Sequence, residues 1–377
     1  MTPDPAASIA LPSWRRAVLK VGSNLIAPDG GAPSTRYLLA IAGFICDARD
    51  RGREVVLVSS GAVAAGRAQL GGQVPATLAA RQALAALGQP KMFELWARLL
   101  DRRCAQVLLA RDDLENRRRF VNAKNTLRTL LELDAIPVVN ENDSVAVDEL
   151  KLGDNDNLAA HVAVLVDADL LVLLTDIDGL YTANPRLDPG ARLIEQVAAV
   201  DPAIMSLASG PGSAAGTGGM RTKLEAASKA AARGIPTVIA NGRRREVLEA
   251  LGRDQCRGTL IARSALPVRA KAHWLKHALS ASGRVVIDAG AARALSERGA
   301  SLLAAGVLAC EGSFRSGDAV EVWVRDADGE RALARGLCQY EAAELKRILG
   351  LPSQAIAARL GYPQAEAVIH RDDLVLL

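Results

Sequence analysis

The sequence is short of the features that would take it out of the ordinary globular class. Its five cysteines, Cys46, Cys104, Cys256, Cys310 and Cys338, are odd in number, widely separated and never arranged as C-x-x-C. That excludes a disulfide scaffold and a zinc ribbon, and it fits a reducing cytoplasm. Charge of one sign is scarce as well: 46 Lys and Arg against 42 Asp and Glu leave +4, too little to advertise a nucleic-acid or membrane partner. A membrane span is missing too. The most apolar stretch, His161 to Leu180, carries Asp167, Asp169, Asp176 and Asp178. Each would cost about 2.5 to 3.5 kcal/mol near a bilayer centre, so the stretch belongs inside protein. The leader over 1–14 holds Pro3, Asp4, Pro5 and Pro12 with no basic region before an apolar stretch, so it is expected to be a frayed terminus and not a signal peptide.

What is present fits a two-unit protein. A chain of 377 residues, 50% hydrophobic, is long for one core, since single cores stop growing near ~250 to 300 residues. Short β-branched and leucine-rich runs recur at 17–21, 54–59, 106–109, 136–139, 170–175 and 237–240, separated by alanine- and leucine-rich helical stretches such as 77–103, 117–133 and 221–233. This alternation predicts an α/β unit with a mostly parallel sheet sandwiched by helices. After about Ser282 the texture changes to short strands with glycine-containing turns, Ser316-Gly317-Asp318 and Asp326-Ala327-Asp328-Gly329, which predicts a small β-rich, barrel-like appendix. The expected division is a leader over 1–14, a catalytic domain over 15–270, a linker over 271–282 and the appendix over 283–377.

In open α/β sheets ligands bind at the carboxyl ends of strands. The first strand ends in Lys20-Val21-Gly22-Ser23-Asn24, the second in Ser59-Ser60-Gly61-Ala62, the fourth in Asn140-Glu141-Asn142-Asp143, and the fifth in Thr175-Asp176 followed by Asp178-Gly179-Leu180-Tyr181. Two further segments stand out: Gly153-Asp154-Asn155-Asp156-Asn157, and the glycine-rich Gly216-Thr217-Gly218-Gly219-Met220-Arg221-Thr222-Lys223 opening a helix. The last is a phosphate cradle in physical terms, though neither a Walker A loop nor a clean G-x-G-x-x-G. The acidic clusters lack the spacing of an EF-hand. Taken singly, each segment is also compatible with a solvated turn or a helix cap. Together, two lysines, two glycine-bearing loops and an acidic cluster at successive strand ends suit phosphoryl transfer.

These segments, in this order, resemble the amino acid kinase family, and the C-terminal part, with Glu297-Arg298-Gly299-Ala300-Ser301-Leu302-Leu303 and Val368-Ile369-His370-Arg371-Asp372-Asp373, resembles a PUA domain. Within the family the resemblance implies ATP-dependent phosphorylation of the γ-carboxylate of L-glutamate, the first step of proline biosynthesis from glutamate, with Mg²⁺. It implies catalytic roles for Lys20, Asp156 and Lys223, with Asp156 orienting the lysines. Ser60, Asn140, Asp143, Asp154 and Asn155 would hold glutamate. Lys20, Gly22, Ser23, Thr175, Asp176, Thr217, Gly218, Gly219, Met220, Arg221, Thr222 and Lys223 would hold ATP. No protein ligand for the metal is assigned. Asn24 and Arg221 depart modestly from the family pattern. The resemblance also implies proline as a feedback inhibitor and a homo-oligomer, dimer or tetramer.

Kinases of the same fold acting on acetylglutamate, aspartate or a nucleoside monophosphate are the nearest alternatives. A carboxylate acceptor with a pKa near ~4.3 is ionised at pH 7, so no general base is needed and none of the four histidines has to act. His161 reads as a packed helix residue, and His273, His277 and His370 lack metal-ligand spacing. An RNA role for the appendix is the alternative of another class. The appendix has 11 basic against 13 acidic residues, while the first 282 residues have 35 against 29. A net −2 surface argues for a regulatory or assembly element and against a nucleic-acid partner.

Overall fold

The computed structural model describes residues 8–70, 77–115, 117–145, 155–185, 187–208, 219–264, 281–326, 329–362 and 365–377. It divides into two compact units, Met1–Pro267 and Val268–Leu377. The first unit contains the strands Ile9–Ala10 (β1), Arg16–Val21 (β2), Glu54–Val58 (β3), Cys104–Leu109 (β4), Ile136–Glu141 (β5), Leu170–Thr175 (β6), Gln196–Val197 (β7), Thr237–Asn241 (β8), Gln255–Cys256 (β9) and Gly258–Ile261 (β10). Eight of them form one sheet in the order β4-β5-β3-β2-β6-β8-β10-β7. Every pairing from β4 to β8 is parallel, and β10 turns antiparallel against β8. The expected mostly parallel sheet is therefore present, with strands where the apolar runs lie.

Side-chain parity explains the layers. Ala17, Leu19 and Val21 of β2 enter one apolar core with the helices Leu38–Asp50, Leu78–Leu100 and Arg245–Gly252. Val18, with Val56, Val58, Leu171 and Leu173 of the neighbouring strands, enters a second core with the helices Arg117–Glu132, Asn155–Leu165 and Met220–Ala231. Strands buried on both faces lose their polar alternation, which is why β6 reads Leu-Leu-Val-Leu-Leu-Thr with every residue buried. The same parity puts Lys20 on the face of Val18, toward the second set of helices.

Two glycines fix the wall next to the site. A Cβ at Gly66, in the helix Ala62–Leu70, would lie 1.9 Å from the Leu84 carbonyl oxygen, and one at Gly88 would lie 1.8 Å from that of Ala62. The helices Ala62–Leu70 and Leu78–Leu100 thus touch backbone to backbone, an approach only glycine permits. Thr77 caps the longer helix by accepting from Ala80 N at 3.2 Å.

The leader expected to be frayed over 1–14 is anchored from Ile9 onward. β1 pairs antiparallel with β9, Leu11 N donates to Asp254 O, and Leu11 and Trp14 are buried. Trp14 Nε1 donates to Asp254 Oδ1 at 2.9 Å, while Arg53 grips both oxygens of the same carboxylate at 2.6 and 2.7 Å and lies over the Trp14 ring. Burial of an indole with its N–H satisfied outweighs the disorder that three nearby prolines suggest. Residues 1–7 lie outside the described residues.

The second unit contains Gly283–Ile287 (β11), Leu302–Leu303 (β12), Val307–Gly312 (β13), Ala319–Asp326 (β14), Gly329–Leu337 (β15), Ala367–Ile369 (β16) and Leu374–Leu376 (β17). Five of these form a mixed sheet in the order β13-β11-β14-β15-β17, and β12 pairs with β16. Both groups of strands close over one core that includes Val285, Val322, Tyr340 and Ile369. The expected β-rich appendix is thus present. Among the described residues β13 and β17 are the outer strands of its five-stranded order. The expected linker lies outside the described residues except for 281–282.

The glycine contact can be tested directly. Gly88→Ala is expected to lower unfolding stability by about 2 to 3 kcal/mol, the upper part of the overpacking range, because backbone and not a flexible side chain must move. Urea denaturation would show a lower midpoint at unchanged slope. A midpoint equal to that of the wild type would remove the contact as a constraint.

Candidate active site

The carboxyl ends of β2, β3, β5 and β6 and the starts of the helices Asn155–Leu165 and Met220–Ala231 surround one cleft of about 490 Å³. Beneath its floor lies Asp156, in the first turn of Asn155–Leu165 and fully buried. Asp156 Oδ1 lies 2.6 Å from Lys20 Nζ, at the end of β2. Its Oδ2 lies 3.0 Å from Lys223 Nζ, in the first turns of Met220–Ala231. Both lysines are buried. Thr222 Oγ1 sits 3.0 Å from Asp156 Oδ2 and 2.7 Å from Gly219 O, its single proton shared between the two. Alanines at 159, 160, 163, 226, 227 and 230 let the two helices pack closely enough for this reach.

Burial alone would push the Asp156 carboxyl up, but Lys20 and Lys223 outweigh it and hold the group down at about 2. The triad sums to +1 in a region of low dielectric. Such a site favours an incoming anion at the open side of the lysines.

A second cluster lies beside the triad. Asn155 Nδ2 donates to Ser59 O at 2.7 Å, to Ser60 Oγ at 2.9 Å and to Asn140 Oδ1 at 2.9 Å. Trp96 Nε1 donates to Ser59 Oγ at 2.8 Å, and Gln89 Nε2 to Glu141 O at 3.2 Å, so the residues behind the cleft hold this wall from within the core. Gly61 has φ +89°, and a Cβ there would meet Ile26 at 2.7 Å, so the Ser60-Gly61 turn requires glycine. Asp143 also lines the cleft; burial raises its carboxyl above the usual value, with Arg81 opposing.

At the β6 end, Thr175 Oγ1 donates to Asp176 Oδ1 at 3.3 Å and Asn24 Nδ2 donates to Asp176 Oδ2 at 3.1 Å. Gly22 N donates to Leu174 O at 3.1 Å, and a Cβ at Gly22 would press on that same oxygen.

The structure therefore brings Lys20, Gly22, Ser23, Ser60, Asn140, Asp143, Asn155, Thr175, Asp176 and Lys223 to one cleft, with Asp156 beneath its floor. Gly219 and Met220 are not among its walls, and Arg221 pairs with Glu225 along its own helix. Asp154, Thr217 and Gly218 lie outside the described residues. Sequence reasoning missed Arg67 and Arg81, which also line the cleft. The signal available for Arg81 was a cation near the start of a helix, where the dipole disfavours it. Among the described residues no group of three or more His, Cys, Asp or Glu side chains is arranged to hold a metal ion, and no helix is long and apolar enough to cross a membrane.

Residues 15–241 match the model of the amino acid kinase family, and residues 283–360 match the PUA domain. The chain is 56% identical over 362 residues to glutamate 5-kinase of Xanthomonas oryzae pv. oryzae (strain MAFF 311018), covering 96% of this chain and 100% of that protein. It is 53% identical to glutamate 5-kinase of Salinibacter ruber, covering 98% and 99%. Among solved structures, carbamate kinase from Giardia lamblia bound to AMP-PNP matches with a TM-score of 0.49 at 17% identity, over 66% of this chain and 99% of that one.

The triad makes acid sensitivity predictable. Because the folded carboxyl titrates below its ordinary 3.8, its stabilising contribution is complete above about pH 4 and is lost as pH falls toward 2. Asp156→Asn is expected to cost about 3 to 5 kcal/mol at pH 7 by leaving two buried ammonium groups uncompensated, with partial recovery on adding Lys20→Met. Thermal unfolding at pH 7 that is unchanged in Asp156→Asn would contradict this.

Proposed function

The chain belongs to the amino acid kinase family, in its glutamate 5-kinase branch, and from that premise we propose that the cleft transfers the γ-phosphoryl group of ATP to the γ-carboxylate of L-glutamate. The observation that carries this reading is the single buried carboxylate of Asp156 between the ammonium groups of Lys20 and Lys223.

The acceptor is already an anion at neutral pH, so the protein need not remove a proton. What it must do is hold two anions close together and neutralise the charge that spreads over the transferring group. Lys20 and Lys223 do this as fixed charges. Asp156 sets their separation and pairs with both ammonium groups. The Ser60, Asn140 and Asn155 cluster receives glutamate, with Asp143 facing its ammonium group. Thr175, Asp176 and the start of Met220–Ala231 receive the nucleotide, joined by Thr217 and Gly218. Mg²⁺ enters as part of the MgATP substrate, because it keeps several waters and binds mainly through phosphate oxygens, and the carboxylate nearest the transfer is taken up by the lysines. Asp154 joins the glutamate contacts by the family pattern. Proline, sharing the α-amino and α-carboxyl groups of glutamate, competes at the same end of the cleft. The working form is a cytoplasmic homo-oligomer, dimer or tetramer.

With MgATP and hydroxylamine, the protein is expected to form hydroxamate from L-glutamate, less so as proline is added. Hydroxamate from acetylglutamate or aspartate but not from glutamate would refute the substrate. Lys223→Ala is expected to reduce kcat by about 100-fold or more while KM for glutamate changes little, as for a group acting in the transition state. Near-normal turnover would remove its role. Since burial raises Asp143, the acid limb of kcat/KM for glutamate is expected above the ordinary carboxylate range, because protonated Asp143 cannot pair with an ammonium group. A limb unmoved in Asp143→Asn would assign it elsewhere.

A further inference from the structure

An amino acid with a side-chain carboxylate brings three charges into a cleft. The triad answers the reacting carboxylate, and Asp143 answers the ammonium group. The α-carboxylate is left, and it needs a cation near Asp143. Among the described residues two arginines line the cleft, Arg67 on the helix Ala62–Leu70 and Arg81 near the start of Leu78–Leu100. Arg81 is the one whose charge acts on Asp143.

Three observations converge on Arg81. Its guanidinium is exposed at the cleft, and among the described residues it forms no hydrogen bond and no ion pair, whereas Arg16, Arg49 and Arg53 are committed to carboxylates. It stands in the first turns of a 23-residue helix whose opening residues, Leu78 and Gln82 among them, also line the cleft, so the helix dipole adds to its charge. The backbone contact at Gly66 and Gly88 holds its helix rigidly against the one that starts at the Ser60-Gly61 turn. A planar fork of donors suits a carboxylate held in two-point contact.

We infer that Arg81 binds the α-carboxylate of the acceptor amino acid and makes the cleft selective for substrates in which that group is free and charged. This rests on the glutamate reading above and adds to it the specificity-determining residue.

The test compares L-glutamate with L-isoglutamine, which keeps the γ-carboxylate but carries an uncharged α-carboxamide, in wild type, Arg81→Gln, Arg81→Lys and Arg67→Gln. Arg81→Gln is expected to raise KM for glutamate roughly 10- to 100-fold, with kcat within about threefold and KM for isoglutamine unmoved. Arg81→Lys should recover part of the loss. Equal KM for glutamate in wild type and Arg81→Gln would overturn the assignment, as would parallel losses on both substrates. A glutamate-selective loss in Arg67→Gln and not in Arg81→Gln would transfer the role to Arg67 and overturn it too. Wild type that is inactive with glutamate would instead bring down the underlying reading. Arg81 is exposed, so its variants should unfold at the wild-type temperature, which separates a binding loss from a folding one.

Discussion

Two ammonium groups on one buried carboxylate form the constraint around which the rest of the first unit is arranged. Lys20 comes from the central strand, Asp156 and Lys223 from two helices on one face, and the three are 67 or more residues apart in the chain. None could stay charged there alone, since an unpaired charge in such a place would shift its proton equilibrium or unfold its surroundings. Met220–Ala231 and Asn155–Leu165 must therefore approach each other closely and in one register, and their shared alanine seam is what allows it. Stability and the proposed chemistry rest on the same contact.

The two sides of the cleft differ in how firmly they are held. The floor and the Ser60 turn are locked by Trp96, Asn155 and a glycine that no other residue could replace without moving Ile26. The cations Arg67 and Arg81 are mounted on rigid helices but reach out on long side chains. Fixed groups thus form the floor and the Ser60 turn, and long adaptable side chains stand beside them.

Much of this was legible in the sequence, for identifiable reasons. Strands such as Leu170–Thr175 announced themselves because burial on both faces leaves an unbroken apolar run. Lys20, Ser60 and Asp143 were legible because they end or follow such runs, where a parallel sheet exposes its backbone. What was not legible depends on contacts between distant segments. Nothing local in Ile9-Ala10-Leu11 points to a partner at Asp254 to Cys256, and the surrounding prolines suggested the opposite. Arg81 carries only a weak signal, a cation near a helix start, until that helix is seen to begin at the cleft.

The anchoring of Ile9 to Trp14 has a consequence for the order in which the molecule can be assembled. A chain emerging from the ribosome presents these residues before their partners at Asp254 to Cys256, which emerge about 240 residues later. At synthesis rates of about 5 to 20 residues per second, Ile9–Ala10 and the Trp14 indole N–H wait for about 12 to 50 seconds for these partners. The pairing of Ile9–Ala10 with Gln255–Cys256 is thus among the last contacts of the first unit to form.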